Sequence, residues 1–265
     1  MRFFKILLSL AAIVLLSQSA MASDFDPGDK GVRPITVGAG ILYRDKVYRD
    51  YDDGEKAQPI PLILYEGDRF FARGSNVGWK FIRGGEWELS ALIEFQGDGY
   101  ESSDSDFLKG MDDRDPYIGA GGQVTWQPSK WGFTLKGTTD IASESDGSQV
   151  TGKVHWTNKS GPFVLKLAGG GAWQSEDYVD YYFGVKSSEA GSLLDPPLVR
   201  RPYSPSDEIN YNLAGLVFYQ QPESPWLITS GLKYTFYGDD VDDSPITSDD
   251  QELAVFFGVG YSFRK

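Results

Sequence analysis

From Ile35 to the C-terminus, apolar and polar residues alternate with a period of two, the spacing that sends successive side chains to opposite faces of a β-strand. Trp87, Leu89, Ala91, Ile93 and Phe95 share one face, and Glu86, Glu88, Ser90, Leu92 and Glu94 share the other. Trp131, Phe133 and Leu135 alternate with Gly132, Thr134 and Lys136. Val150, Gly152, Val154 and Trp156 alternate with Thr151, Lys153 and His155. The last run sets Leu253, Val255, Phe257, Val259, Tyr261 and Phe263 against Ala254, Phe256, Gly258, Gly260 and Ser262. Such runs outlast the ~5–6 residues of an ordinary soluble strand and match the ~9–11 that cross a bilayer. One face of each is apolar with aromatics near its ends, as in Trp87 and Phe95, Trp226 and Phe236, or Phe257 and Phe263. That is the pattern of a lipid-facing band between two interfacial girdles. The opposite face is small or charged, as in a barrel interior. A periplasmic β-sandwich also alternates, but it seldom sets aromatics at both ends of so many long strands.

The pattern predicts an all-β fold, an antiparallel transmembrane β-barrel. Its strands fall at 35–43, 59–66, 69–74, 77–83, 86–96, 117–127, 131–140, 149–157, 162–172, 209–219, 226–237 and 251–263, about twelve in all. Short turns are expected at Arg83 to Gly85, Gln127 to Lys130, Asn158 to Gly161 and Gln220 to Pro225. Long polar segments cover 44–58, 97–116, 140–148, 173–208 and 238–250. Outer-membrane barrels pair short periplasmic turns with longer external loops, so both chain ends are expected on the periplasmic side. The stretch Tyr181 to Val185 reads either as strand or as loop.

Residues 1–22 break the alternation. Arg2 and Lys5 precede an apolar run from Ile6 to Leu16, and Ala20-Met21-Ala22 is a small-x-small cleavage pattern. This predicts a signal peptide cut after Ala22. The run is shorter than the ~20 residues of a spanning helix. Residues 23–34, polar and rich in Gly and Pro, read as a flexible periplasmic lead-in to a barrel over 35–265. An exported chain of this design belongs in the outer membrane of a Gram-negative cell.

Composition narrows the function. The 265 residues carry 25 Lys+Arg against 38 Asp+Glu, a net charge of −13, and removing Arg2 and Lys5 with the leader leaves the rest more acidic still. Nucleic-acid binding needs clustered cations to displace counterions and is disfavoured. With no Cys, disulfide scaffolds, thiol catalysis and Cys-based zinc sites are excluded. A mean hydropathy of −0.34 looks soluble, but alternation hides the membrane signal of a barrel.

Several segments of the C-terminal third resemble the MipA/OmpV family of outer-membrane proteins, the MltA-interacting protein family. They are Tyr181 to Ala190 (YYFGVKSSEA), Pro202-Tyr203, the strand from Tyr211 to Tyr219, Asp243-Ser244-Pro245-Ile246, Asp249-Asp250, and Phe257 to Phe263. In the N-terminal half the likeness is one of length, leader and glycine-aromatic rhythm. The Arg264-Lys265 tail departs from the usual terminal aromatic. The resemblance implies a non-enzymatic outer-membrane barrel in contact with lipid and lipopolysaccharide. One family member is a scaffold joining a lytic transglycosylase to a murein synthase, and others are linked to adhesion, osmotic response or antibiotic susceptibility. The resemblance supplies no catalytic, cofactor-binding or metal residues, and no cofactor is expected.

The residues offer three candidates for chemistry. His155, the one imidazole, is expected inside the barrel beside Thr157, two residues after Lys153; no Ser stands at a matching position in the same strand, so a hydrogen-bonded lumen or interface residue is the better reading. Acidic clusters at Asp50 to Asp53, Asp104 to Asp106, Asp112 to Asp115 and Asp239 to Asp243 lack the spacing of a calcium loop. They read as solvated loops, or as loops bridged by divalent ions to lipopolysaccharide phosphates. Glu86, Glu88, Glu94, Lys80, Lys136, Lys153, Lys166 and Lys233 are expected to point inward. There they would either fill a small lumen with ion pairs or set the selectivity of a channel for small solutes.

Overall fold

A computed structural model describes residues 35–51, 56–96, 98–192 and 199–263. The expected signal peptide and lead-in lie outside the described residues. The strands are β1 (Ile35–Asp45), β2 (Ala57–Glu66), β3 (Phe70–Arg73), β4 (Asn76–Gly84), β5 (Trp87–Gln96), β6 (Tyr117–Trp126) and β7 (Trp131–Asp140). They continue with β8 (Ser148–Ser160), β9 (Phe163–Gln174), β10 (Gly191–Ser192), β11 (Val199–Arg200), β12 (Glu208–Tyr219), β13 (Trp226–Phe236) and β14 (Gln251–Phe263). Two short helices, α1 (Glu176–Phe183) and α2 (Asp239–Asp242), lie in the loops. Twelve of the strands close into one barrel, each antiparallel to its neighbours, with β1 paired to β14 from Ile35↔Phe263 to Asp45↔Leu253. β10 and β11 form a separate two-stranded ribbon.

The alternation becomes two surfaces. Along β14 the odd positions are exposed and the even ones buried through its whole length. Ile41, Trp79, Leu135, Leu213, Leu232 and Phe257 stand on the outside. An apolar belt of this extent is untenable in water and is what a bilayer requires. Trp87, Trp126, Trp131, Trp226 and Phe263 ring the end with short turns; Tyr43, Trp173, Tyr211 and Phe236 ring the other. Within the first ring, Trp87 meets Trp126 at 6.0 Å and Trp226 meets Tyr261 edge-on at 5.3 Å. In the tight turns Gly85 and Gly161 adopt φ of 62° and 57°, where a Cβ would be strained.

The expected strands are present to within a few residues, and four departures have physical causes. Tyr181 to Val185 is neither strand nor simple loop, because α1 takes Tyr181 to Phe183. Tyr178, Val179, Tyr182 and Phe183 fall on one helical face and are buried. Glu86 does not point inward: it sits exposed in the turn before β5 and accepts the Trp126 indole N–H at 3.0 Å. The inner face is not uniformly small or charged either. Leu42, Ile60, Leu62, Leu64, Leu216, Phe218, Leu227 and Phe256 form an apolar cluster inside the barrel. Finally, β4 carries a bulge between Lys80 and Ile82, which turns Phe81 and Ile82 both outward.

Candidate functional site

The long connections do not hang free. Val47, Tyr48 and Tyr51 from 46–56, Tyr100, Phe107, Leu108 and Met111 from 97–116, the buried face of α1, and Val241 and Ile246 from 237–250 pack into one core. This core caps the end of the barrel that carries the long loops. Aromatic edges organise it: Tyr48 meets Tyr100 at 4.8 Å, and Tyr178 meets Tyr182 at 4.8 Å. Two buried guanidinium groups tie its segments together. Arg114 donates to both Glu189 oxygens at 2.9 and 3.0 Å and to the Tyr181 carbonyl at 2.6 Å. Arg200 donates to the carbonyls of Phe107 and Glu189 at 2.5 and 2.6 Å. Backbone N–H groups and Arg114 hold the Glu189 carboxylate below its ordinary range against the opposing effect of burial. The sequence marks these loops as polar because their aromatics are spread among many acids; only folding gathers them.

Where the cap meets the lumen, charges from two loops and two strands converge with tyrosine hydroxyls from two further loops. Arg44 of β1 donates to Glu252 of β14 at 2.8 Å and to Asp98 at 3.0 Å. Asp98 also accepts the Tyr178 hydroxyl. Burial alone would raise the Asp98 pKa, but Arg44 and the Tyr178 hydrogen bond hold it below the usual carboxylate range. Lys46 donates to the Gly99 carbonyl at 2.6 Å, and desolvation, then the charge of Arg44, draws its pKa down to about 8. Burial pushes the Tyr48, Tyr178 and Tyr237 hydroxyls well above their ordinary value, so they act as neutral donors.

Deeper in the lumen, Arg73 donates to Glu66 at 2.9 Å and reaches Glu88 at 3.3 Å, and Lys80 contacts Glu66 and lies 3.5 Å from Glu88. Phe71 lies under this knot, its ring centre 4.3 Å from the Arg73 guanidinium. Glu94 accepts from Lys136 and from Thr138. Lys153, Lys166 and Lys233 face the same interior. Glu66, Glu88, Glu94 and Glu252 sit against Arg73, Lys80, Lys136 or Arg44.

His155 is buried on the inner face as the alternation predicts, level with Gly132 on β7 and Ala168 on β9. Neither neighbour offers a nucleophile. Of the acidic loop clusters, Asp52 and Asp53 lie outside the described residues, and in the Asp112 to Asp115 cluster Asp112 pairs with Lys186 at 2.9 Å. Among the described residues no group of three or more His, Asp or Glu side chains is placed to hold a metal. The arrangement brings together what sequence spacing could not, an interior with a charged knot at one level and a charged junction under a folded cap.

A closed antiparallel barrel of twelve strands with an apolar outer belt and two aromatic rings is an outer-membrane β-barrel protein. The chain belongs to the family described as "MltA-interacting protein MipA", whose family model matches residues 37–263. It is 28% identical over 236 residues to the putative outer membrane protein YiaT of Escherichia coli (strain K12), covering 86% of this chain and 91% of that one. It is 27% identical over 243 residues to the MltA-interacting protein of the same strain, covering 86% and 90%. To the outer membrane protein OmpV of Vibrio cholerae it is 27% identical over 201 residues, covering 75% and 76%. Among solved structures, the NanC porin aligns over 86% of this chain and all of that one, with 10% identity and a TM-score of 0.41.

Proposed function

We propose that the protein is an outer-membrane scaffold, without chemistry of its own, that docks a murein-remodelling enzyme at its periplasmic rim. The observation that carries this reading is obstruction of the lumen at two levels. The loop cap covers one end, and the Glu66–Arg73–Lys80–Glu88 knot with the apolar cluster fills much of the other. Such a barrel is a rigid body in the membrane more than an open passage. The surface it turns toward murein is a set of short turns bearing Asp68, Arg69, Arg83, Glu86 and Lys130, all exposed. The name of the relative called MltA-interacting protein supports the same reading.

The test is capture of a lytic transglycosylase and a murein synthase by the mature protein, in detergent and in vesicles. Retention that falls when Arg69, Arg83 and Lys130 are replaced by Glu supports the scaffold; no retention of either enzyme overturns it. Replacement of His155 by Ala tests the absence of chemistry, since any hydrolysis of lipid or murein that disappears in that variant would make the protein an enzyme. A second reading, a gated passage for small solutes, is favoured by the partly exposed lysines that face the lumen. Salt-dependent single-channel steps from the refolded protein in a planar bilayer would support it, and a folded but silent barrel would remove it.

A further inference from the structure

One stretch of the barrel wall is not closed by a strand ladder. β3 has 4 residues where the other barrel strands have 9 to 13, because Gly74, at a φ of 62°, turns the chain back straight after Arg73. Its hairpin with β4 therefore accompanies β2 only as far as Ile63, whose carbonyl accepts the Gly74 N–H at 3.0 Å. On the other side of the tip, Phe95 of β5 donates its N–H to the Ser75 carbonyl at 3.2 Å. Beyond these two rungs β2 still runs from Leu62 back to Ala57, about 20 Å of strand at ~3.4 Å per residue. Along that length β2 is laddered to β1 on one side, whereas among the described residues no barrel strand is laddered to its other side. The result is a notch in the half of the wall nearer the cap, between β2 and β5. The outward residues around it, Ile63, Val77 and Ile93, stand in the apolar belt.

Two features fit a notch that lies inside an apolar layer. The edge of β2 that faces it is the one carrying the Ile63 carbonyl, and residues two and four positions earlier share that edge. These are Pro61 and Pro59, which have no N–H and so leave no donor stranded in lipid. Phe95 is the second feature. The alternation sets it outward with Leu89 and Ile93, yet it is 9% exposed against 46% for Ile93. Protein therefore covers this ring where lipid would otherwise lie, and the notch is shut by side chains instead of backbone hydrogen bonds. Just inside stand Ile60 and Leu62 of the apolar cluster. On the cap side, Asp98 and Gly99 are held to Arg44 and Lys46 at 3.0 and 2.6 Å. A ring can change rotamer while every rung of the barrel is kept. Moving it from an apolar wall into acyl chains forfeits little, since lipid tails are as apolar as the wall.

We propose that this notch is a lateral gate with Phe95 as its leaf. One acyl chain of a membrane lipid in the cap-side leaflet enters the slot that the ring vacates, between the Pro59–Pro61 edge and β5, and lies against Ile60 and Leu62. The gate uses the wall and not the barrel axis, so it stands whether the protein docks an enzyme or conducts. Photocrosslinking of the refolded full-length mature protein in phosphatidylcholine vesicles tests it. A benzophenone side chain is placed in turn at Leu62, at Ala172, inward on β9 across the barrel, and at Leu213 on the lipid face. After irradiation, mass spectrometry is expected to find a phosphatidylcholine adduct at Leu62 and at Leu213 and none at Ala172. Phe95→Ala, which removes the leaf, should raise the yield at Leu62 severalfold and leave the yield at Leu213 unchanged. Ile60 carries the probe if the Leu62 variant lacks the heat-modifiable mobility of a folded barrel. Absence of a lipid adduct at the inner position in a folded Phe95→Ala variant overturns the proposal. So does an equal yield at Leu62 and Ala172, which would mean that lipid reaches the interior by another route. An adduct formed with micellar detergent but not with vesicle lipid also overturns it, because the chain would then come from a free amphiphile.

Discussion

Arg114 and Glu189 have side chains only 3% exposed, and their pairing fixes how two cap loops sit on each other. Removing one partner of a buried pair strands the other charge and costs about 3–5 kcal/mol, far more than the pair itself contributes against an apolar replacement. Arg114→Ala is therefore expected to open the cap by that amount while the barrel stays folded. Rapid proteolysis within 97–116 or 175–207, with unchanged heat-modifiable mobility, checks it. Titration acts on the same part of the molecule. Lys46 has its folded pKa drawn from 10.5 to about 8, so the unfolded cap binds more protons between those values and cap stability rises with pH across that window. Asp98, held low, works in the opposite range: its contribution is full above the ordinary carboxylate value and is lost as pH falls through its folded pKa. Hydrogen exchange of the cap should lose its alkaline gain in Lys46→Met and its acid sensitivity in Asp98→Asn. Neither is legible as special in the sequence: Asp98 takes its setting from Arg44, 54 positions away, and Lys46, although two residues from Arg44, is buried only where it meets distant segments such as Gly99.

At the scale of elements, legibility followed period. Long strands such as β14, with a perfect in-out alternation, were placed almost to the residue. The short β3–β4 hairpin is legible in the alternation but its register is not, since β3 pairs with β2 over only Leu64↔Arg73 to Glu66↔Phe71 and a bulge interrupts β4. Helix α1 was missed because aromatic residues at Tyr178, Tyr181, Tyr182 and Phe183 have strand-like propensity, and only their burial in the cap selects the helix. The signal that could have found it was the pairing of Tyr178 and Val179 with Tyr182 and Phe183, four positions apart, behind Glu176 and Asp177 in the first turn. Tyr182 is fully buried and its hydroxyl donates to the Asp115 carbonyl at 2.9 Å. Truncation in Tyr182→Ala removes a large packed ring and is expected to cost about 3–5 kcal/mol. The loss should fall on the cap alone: near-ultraviolet dichroism from the tyrosine cluster should weaken while far-ultraviolet strand signal persists.

For the whole molecule, the distinction between the two faces of the sheet is the property the sequence stated most plainly, because the same alternation is repeated around twelve strands and any single error is outvoted. What the alternation could not state is the content of the lumen. A residue assigned inward can join the apolar cluster with Leu62 and Phe256, the knot with Lys80, or the junction with Glu252 under the cap, and the choice depends on strands brought together by closure. The outer face, by contrast, depends on lipid alone and makes a direct test of membrane insertion. Leu213 lies midway along β12, is 56% exposed and points outward. An Arg there meets the hydrocarbon core and is expected to cost about 2–4 kcal/mol of folding stability in a bilayer. The same substitution at its inward neighbour Asn212, which is partly exposed on the lumen side, should cost clearly less. Urea-dependent folding into large unilamellar vesicles measures both, and equal penalties for Leu213→Arg and Asn212→Arg would mean that this belt does not face lipid. In detergent micelles, where the apolar layer is thin and yields around an arginine, the difference between the two variants should shrink, which separates a lipid cost from damage to the strand itself.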